Sequence, residues 1–227
     1  MPAFPGKLIV IEGMDGSGKA TQTKILAQKL KDLNKDVEIC DFPQYGNWSA
    51  AFVEKYLNGE FGSAKEVGPY QASVFFAVDR YAQGPQMKQW LEQGKIIISN
   101  RYVSANQGHQ GGKIKNPEER KNFFDWLDHL EYQGFQIPRP DLIIFLHVPP
   151  EIGQQLVDKK GQRDYVGGQK RDIHEADLQH LKDAEDSFLF LAENYPNWIK
   201  IDCTQDNQIL SREEIHQKVW ETIQEII

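Results

Sequence analysis

The chain has 227 residues, 40% of them hydrophobic and 11% aromatic, and carries a formal net charge of -7. That is enough for one α/β domain around one core, and the acidic balance excludes a general nucleic-acid binder, so any polyanion site must be a local basic pocket. The longest apolar run, residues 142–148 with His147 inside it, is far short of the ~20 residues of a membrane span, and a first strand starting near Lys7 leaves no room for a signal peptide before it.

In chain order, residues 7–23 read KLIVIEGMDGSGKATQT. The apolar run 8–11 predicts a buried strand, and Gly13, four further residues, Gly18 and Lys19 have the spacing of a phosphate-cradling P-loop. In such a loop the backbone N–H groups of Gly13, Met14, Asp15, Gly16, Ser17 and Gly18 surround the phosphates of a nucleoside triphosphate. The Lys19 ammonium reaches the β- and γ-phosphates, and the next helix presents its positive end. An ordinary glycine-rich turn shares this spacing, but the strand before it and Ile25, Leu26, Leu30 and Leu33 after it supply the context of the motif. The position after the lysine usually carries Ser or Thr for Mg²⁺; here it is Ala20, followed by Thr21.

The first helix is predicted over 19–33 and the second strand, a parallel neighbour of the first, over Val37–Asp41. Phe42, Pro43, Gln44 and Tyr45 then take the chain out of the sheet at its C-terminal edge, where α/β proteins bind ligands. A short amphipathic helix is expected over 48–57 and another from Pro69 to about Gln83, broken at Gly84 and Pro85. Arg80 falls four residues after Phe76, so one helical face offers a ring to stack a base and a guanidinium for an anion or carbonyl, although rings here also serve as core. A further helix through Met87, Trp90 and Leu91 precedes a buried parallel strand over 95–99.

Residues 100–113, NRYVSANQGHQGGK, are polar and glycine-rich at the edge where the P-loop lies, so they predict a loop that supplies substrate groups. Asn116, Pro117 and Glu119 start a helix with a capping box, running to about Gln133 with Phe123, Leu127 and Leu130 on its buried face and Gly134 as its stop. Strand four is expected over 142–148. After a helix opened by Pro149 and Pro150, residues 158–173 carry Lys159, Lys160, Arg163, Lys170 and Arg171 among glycines, which predicts a mobile basic lid closing over phosphates. The rest predicts a strong helix through Leu178, Leu181, Phe188, Leu191 and Tyr195, a fifth strand Trp198–Asp202, and a last helix capped by Ser211 with Glu214. The fold class is thus α/β, a doubly wound five-stranded parallel sheet in one domain, 1–227. Cys40 and Cys203 lie in or beside strand patterns without a second ligand nearby, so they predict buried free thiols and a reducing, cytoplasmic setting.

Taken together, the motifs resemble the thymidylate kinases of the nucleoside monophosphate kinase group. EGMDGSGKATQ, FP after strand two, Phe76 with Arg80, the RY after Asn100, QGG at 110–112, RPDL at 139–142 and Asp172 with Glu175 occur in family order across nearly the whole chain. The resemblance implies phosphoryl transfer from ATP to dTMP with Mg²⁺, giving dTDP and ADP for dTTP synthesis. It further implies a cytoplasmic homodimer whose partners are small-molecule nucleotides, with no nucleic acid and no membrane. On it, Asp15 contacts the acceptor sugar hydroxyl, Phe76 stacks thymine, and Arg80 and Asn106 reach the base edge. Arg101 holds the acceptor phosphate, while Phe42, His109 and Gln110 line the same pocket.

Phosphoryl transfer needs in-line positioning and cations around the moving group. Lys19 is one. Some thymidylate kinases place an arginine in the P-loop slot held here by Gly16, so the other expected cations are the lid residues Arg163 and Arg171. Ala105 stands where the family commonly has Ser and His109 where Tyr or Phe is usual, which leaves the choice among dTMP, dUMP and ribonucleotides open, and Asn100 stands where the family usually has Asp, which weakens a second anchor for Mg²⁺. With Ala20 lacking a hydroxyl, Glu12 and Asp15 are the carboxylates expected to meet hydrated Mg²⁺ through water. Two rival classes share parts of this pattern. A deoxynucleoside kinase, or another pyrimidine monophosphate kinase, shares the P-loop and sheet, but an uncharged nucleoside has less need of Arg101. A nucleotide-binding switch requires an N-K-x-D guanine reader after a late strand, whereas the NKD at 34–36 lies between the first helix and the second strand.

Overall fold

The computed structural model describes residues 4–158, 178–224 and 226–227. Residues 8–11 form the heart of β1 (Lys7–Gly13), with Leu8 and Val10 in one apolar cluster and Ile9 and Ile11 in another on the opposite face. Such two-sided burial is the position of a central parallel strand. β1 lies between β3 (Ile96–Asn100) and β4 (Leu142–His147), with β2 (Val37–Asp41) and β5 (Trp198–Asp202) outside them, in the order β2-β3-β1-β4-β5, all parallel.

The expected pairing of the second strand with the first is therefore corrected, since β3 separates them. The reason is polarity. Ile96, Ile97, Ile98 and Ser99 are all buried and need neighbours on both sides, whereas Glu38 and Asp41 suit β2 to an edge.

One face of the sheet is covered by α1 (Lys19–Asp32) and α8 (Arg212–Ile223), through Leu26, Leu30, Ile215 and Val219. Ser211 and Glu214 form the predicted capping box of α8. The other face is covered by α3 (Pro69–Glu92), α5 (Pro117–Asp128) and α7 (Leu178–Asn194). A 3₁₀ turn, Trp48–Ala50, leads into α2 (Ala51–Leu57), which packs Tyr56 on α3. Cys40 and Cys203 are buried free thiols, each pushed up to about 12, chiefly by burial. Among the described residues no helix is long and apolar enough to cross a membrane.

Three further expectations are corrected. Pro85 does not break α3, which runs on to Glu92. A proline inside a helix costs about 3 kcal/mol, but Ala72 and Ala77 before it and Met87 and Leu91 after it are all buried, so packing holds both halves on one axis. The predicted loop 100–113 is instead α4 (Val103–His109) and a 3₁₀ turn, Gly111–Lys113. Its glycines serve close packing: a Cβ on Gly108 would lie 2.1 Å from the Phe188 ring of α7, and one on Gly111 2.6 Å from Phe124 of α5. Finally, the helix after Asn116 changes at His129 into a π-turn, His129–Gly134. That turn leaves Leu130 half-buried and puts Glu131 in the interior. A small hairpin, β6 (Thr204–Gln205) and β7 (Gln208–Ile209), was not foreseen; Asp206 and Asn207 turn it with φ of 50° and 59°.

Strand β4 leads through Pro149 into α6 (Pro150–Asp158), as predicted. The lid expected over 158–173 begins at Asp158, the last residue of α6; the rest of it, with Lys159, Lys160, Arg163, Lys170 and Arg171, lies outside the described residues. Beyond that gap α7 is fastened to the sheet edge by His147. The His147 ring meets Glu185 of α7 through Nε2 at 2.8 Å and Asp202 of β5 through Nδ1 at 2.9 Å. The bond to Glu185, and then that to Asp202, outweigh burial and raise the His147 pKa above the usual value. A raised folded-state pKa means that this contribution to stability is complete below pH ~6.5 and is lost as pH rises through the folded value. The melting temperature of wild type should therefore exceed that of His147→Gln most at pH 6, with the gap narrowing by pH 9. An equal gap at both pH values would show that the imidazolium contributes nothing.

Candidate active site

At the C-terminal end of β1 the backbone turns with φ of 87° at Gly16 and 90° at Gly18, which caps α1. Glycine adopts these left-handed conformations without strain, which is what a tight anion-cradling loop requires. Gly16 is constrained twice, because a Cβ there would also lie 2.4 Å from the Gly153 carbonyl of α6. Lys19 is buried, donates to the Met14 carbonyl at 2.9 Å and lies 3.6 Å from Asp15 Oδ1. Ala20 lines the cavity described below; Thr21 is not among its lining residues.

Arg101 follows β3 with φ of 65° and donates its backbone N–H to Ile11 of β1 at 3.0 Å. Its guanidinium meets three acceptors. Nη2 donates to Asp15 Oδ1 at 2.8 Å, and Nη1 lies 3.2 Å from Glu12 Oε1 and 3.1 Å from His109 Nε2. Burial alone would depress the Arg101 pKa, but Asp15 and then Glu12 outweigh it and keep the group charged. His109 is held well below its ordinary pKa by burial, then by Arg101 and His180. A neutral ring facing Arg101 through Nε2 must accept there, so the proton is assigned to Nδ1.

Glu12 is wholly buried. Its Oε1 also accepts from the Gly13 N–H at 2.9 Å, and its Oε2 accepts from Ser104 Oγ at 2.7 Å. The carboxylate expected to face a metal thus serves protein donors on both oxygens and does not line the cavity, whereas Asp15 does.

Around Arg101 opens a cavity of about 360 Å³ lined by Asp15, Gly16, Gly18 and Lys19 on one side and by Phe42, Phe76, Arg80, Asn106, His109 and Gln110 on the other. Phe76 stands edge-on to Tyr56 at 6.1 Å, and Phe42 packs on Tyr102 at 5.7 Å. Asn106 donates to the Ser73 carbonyl at 3.1 Å. Gln110 is 1% exposed, and among the described residues its Oε1 is buried without a hydrogen-bond partner. Arg80 differs from expectation. Its Nε donates to Glu131 Oε2 at 2.8 Å, Nη2 to Glu131 Oε1 and Nη1 to the Tyr102 carbonyl at 3.2 Å, so three of its N–H groups serve the protein.

Sequence reasoning missed Asp41 and Asp79, which also line the cavity. Asp41 accepts from Asn100 Nδ2 at 2.7 Å, a meeting made only by strand register. Asp79 accepts from Gln44 N–H at 2.9 Å and from Ser49 Oγ at 2.6 Å, fixing the turn after β2 onto α3. Its place beside Arg80 in FFAVDR was the available signal. The predicted cations Arg163 and Arg171 lie outside the described residues.

With this geometry in view, a family model described as thymidylate kinase matches residues 11–219. A thymidylate kinase of Mycobacterium tuberculosis is 28% identical over 173 residues, covering 76% of this chain and 79% of that protein. One of Plasmodium falciparum is 29% identical over 223 residues, covering 97% and 91%. Among solved structures, the thymidylate kinase of Candida albicans superposes with a TM-score of 0.71 at 24% identity, over 97% of this chain and 92% of that one, and so shares the fold.

The Arg80–Glu131 pair is almost fully enclosed, with side chains 2% and 0% exposed. Removing one charge of such a pair leaves the other unpaired in the interior, at a cost of about 3–5 kcal/mol. Glu131→Gln should lose that much stability in urea denaturation, and a loss under about 1 kcal/mol would show that Arg80 finds its counter-charge elsewhere.

Proposed function

The chain belongs to the thymidylate kinase family, and we infer from this that it catalyses ATP-dependent phosphorylation of dTMP to dTDP, with ADP as the second product, a step of deoxynucleotide biosynthesis. One geometric observation supports the site assignment above the others: Arg101 and Lys19, the cations assigned to acceptor and donor phosphates, flank the same oxygen of Asp15.

In this reading the N–H groups of Met14, Asp15, Gly16 and Gly18, with Lys19, Ala20 and Thr21, hold the ATP phosphates, those of Gly13 and Ser17 being given to Glu12 and to the Met14 carbonyl, and Lys19 leaves the Met14 carbonyl to follow the γ-phosphate during transfer. Arg101 grips the dTMP phosphate. Phe76 provides the stacking face for thymine, Phe42 and His109 border the acceptor, and Asn106 and Gln110 offer amides to the base edge. Arg80, neutralised by Glu131, acts there as a hydrogen-bond donor without net charge. Asp15 receives the sugar hydroxyl as Arg101 turns to phosphate. Mg²⁺ bound with ATP would screen the phosphate charge; Asp15 fits its water shell, while Glu12 does not, its oxygens being taken by Gly13, Arg101 and Ser104. The remaining cations are assigned to Arg163 and Arg171, in a lid that closes on the filled site. Homodimeric assembly and a cytoplasmic location complete the reading.

Two measurements test it. Coupled ADP release with dTMP, dUMP, UMP, CMP, GMP and thymidine should be fastest with dTMP; faster turnover of GMP would refute the stacking and amide assignments, and faster turnover of thymidine would refute the phosphate grip. Arg163→Ala or Arg171→Ala should lower kcat by about 10³-fold, the scale of an arginine that stabilises transferring phosphoryl charge. If both variants keep kcat within a few-fold, the lid arginines are not catalytic.

A further inference from the structure

Two of the three acceptors around Arg101 are carboxylates, and the third is an imidazole. The difference has a chemical logic. Glu12 and Asp15 already place two negative charges on one guanidinium, and a third carboxylate would repel an incoming phosphate dianion. A neutral imidazole offers a lone pair that fixes direction without adding charge. Asp15 is also a shared anchor, since its Oδ1 lies 3.6 Å from Lys19, so its hold on Arg101 changes whenever either cation meets a ligand. Glu12 and His109 supply the other two anchors.

The direction of the His109 lone pair is set by α7. The His109 ring stacks on His180 at 5.8 Å and 21°, and meets Phe188 edge-on at 5.5 Å and 89°. Both partners belong to α7, and the adjoining Gly108 is pressed against Phe188 with no room for a methyl group. His180 is 7% exposed, is not among the residues lining the cavity, and meets the site through the His109 ring. It also lies in the first turn of α7, the first described element after the basic segment 158–173.

We propose that His109 and His180 are a positioning pair for Arg101, through which the start of α7 sets the affinity for the acceptor phosphate. The proposal rests on the reading of Arg101 as the acceptor-phosphate cation. His109 holds the guanidinium in a phosphate-ready orientation, and His180 holds His109. Movement of the first turn of α7 is thereby felt at the acceptor site.

The test measures dTMP and ATP affinity by titration calorimetry on the full chain. His109→Phe removes the acceptor and keeps a ring, so it should weaken dTMP binding about tenfold, as expected for loss of a charge-assisted hydrogen bond, with ATP affinity within twofold. His109→Gln, which restores an acceptor, should recover most of the loss, and His180→Leu should weaken dTMP binding about threefold. A role in packing alone would not be rescued by glutamine. In an Arg101→Ala background, His109→Phe and His180→Leu should have no further effect on dTMP binding, because the group they position is gone. If Arg101→Ala leaves dTMP affinity unchanged, the reading of Arg101 falls and this proposal with it. If Arg101→Ala weakens dTMP but the histidine substitutions add their full effects on top of it, or change nothing in wild type, the positioning role alone is overturned.

Discussion

The Arg101 guanidinium is where the active site is tied together. It joins the end of β1 through Glu12, the P-loop through Asp15 and α4 through His109, while its own backbone donates across to Ile11. Glu12 could not be buried in this way alone, since a solitary interior carboxylate is too costly to keep charged. Gly13, Ser104 and Arg101 together supply its donors. The strand ends of β1 and β3 and the first turn of α4 are therefore fixed by one charge network, and the P-loop inherits its position from it.

A second buried ion pair acts differently. Arg80 and Glu131 cancel one another deep in the wall of the cavity, so that wall is polar but carries little net charge. Arg101 has its counter-charge partly on Asp15, which is 26% exposed and stands beside Lys19. A dianion entering the cavity can compete for Arg101 far more readily than for Arg80. The site thus separates the end suited to phosphate from the end suited to a neutral ring edge, although both contain arginine. On a body of net charge -7, any preference of the cavity for an anion comes from this local arrangement rather than from the overall field.

Much of this was legible in the sequence wherever local chemistry decides structure. The P-loop spacing, β2, β5 and the Ser211–Glu214 cap were readable because each depends on residues close in the chain. Pro85 was misread because helix propensity was weighed without the packing of Met87 and Leu91 on the same core. Residues 100–113 were misread because glycine in a polar run signals a loop, whereas here glycine makes room for Phe188 and Phe124. The site residues themselves were visible as types, and their partners were not. Nothing in the sequence near Arg80 announces Glu131, which reaches it only because a π-turn rotates it inward. Asp41 meets Asn100 for a similar reason, since only the pairing of β2 with β3 sets them side by side.

The constraint on Gly16 carries this argument to the donor side. A side chain there would strike the Gly153 carbonyl, and a side chain on Gly153 would come within 2.8 Å of the Asp15 carbonyl, so the P-loop and α6 meet backbone to backbone through two glycines. The P-loop therefore cannot carry its own arginine at this position without displacing α6. The same close approach anchors α6 directly on the phosphate cradle, and α6 is the helix that leads into the basic segment 158–173. Loss of a cation at position 16 and attachment of the root of that segment to the P-loop are then two results of a single contact. The glycine pair that bars a side chain from position 16 thus also fixes the first turn of α6, whose far end meets that segment.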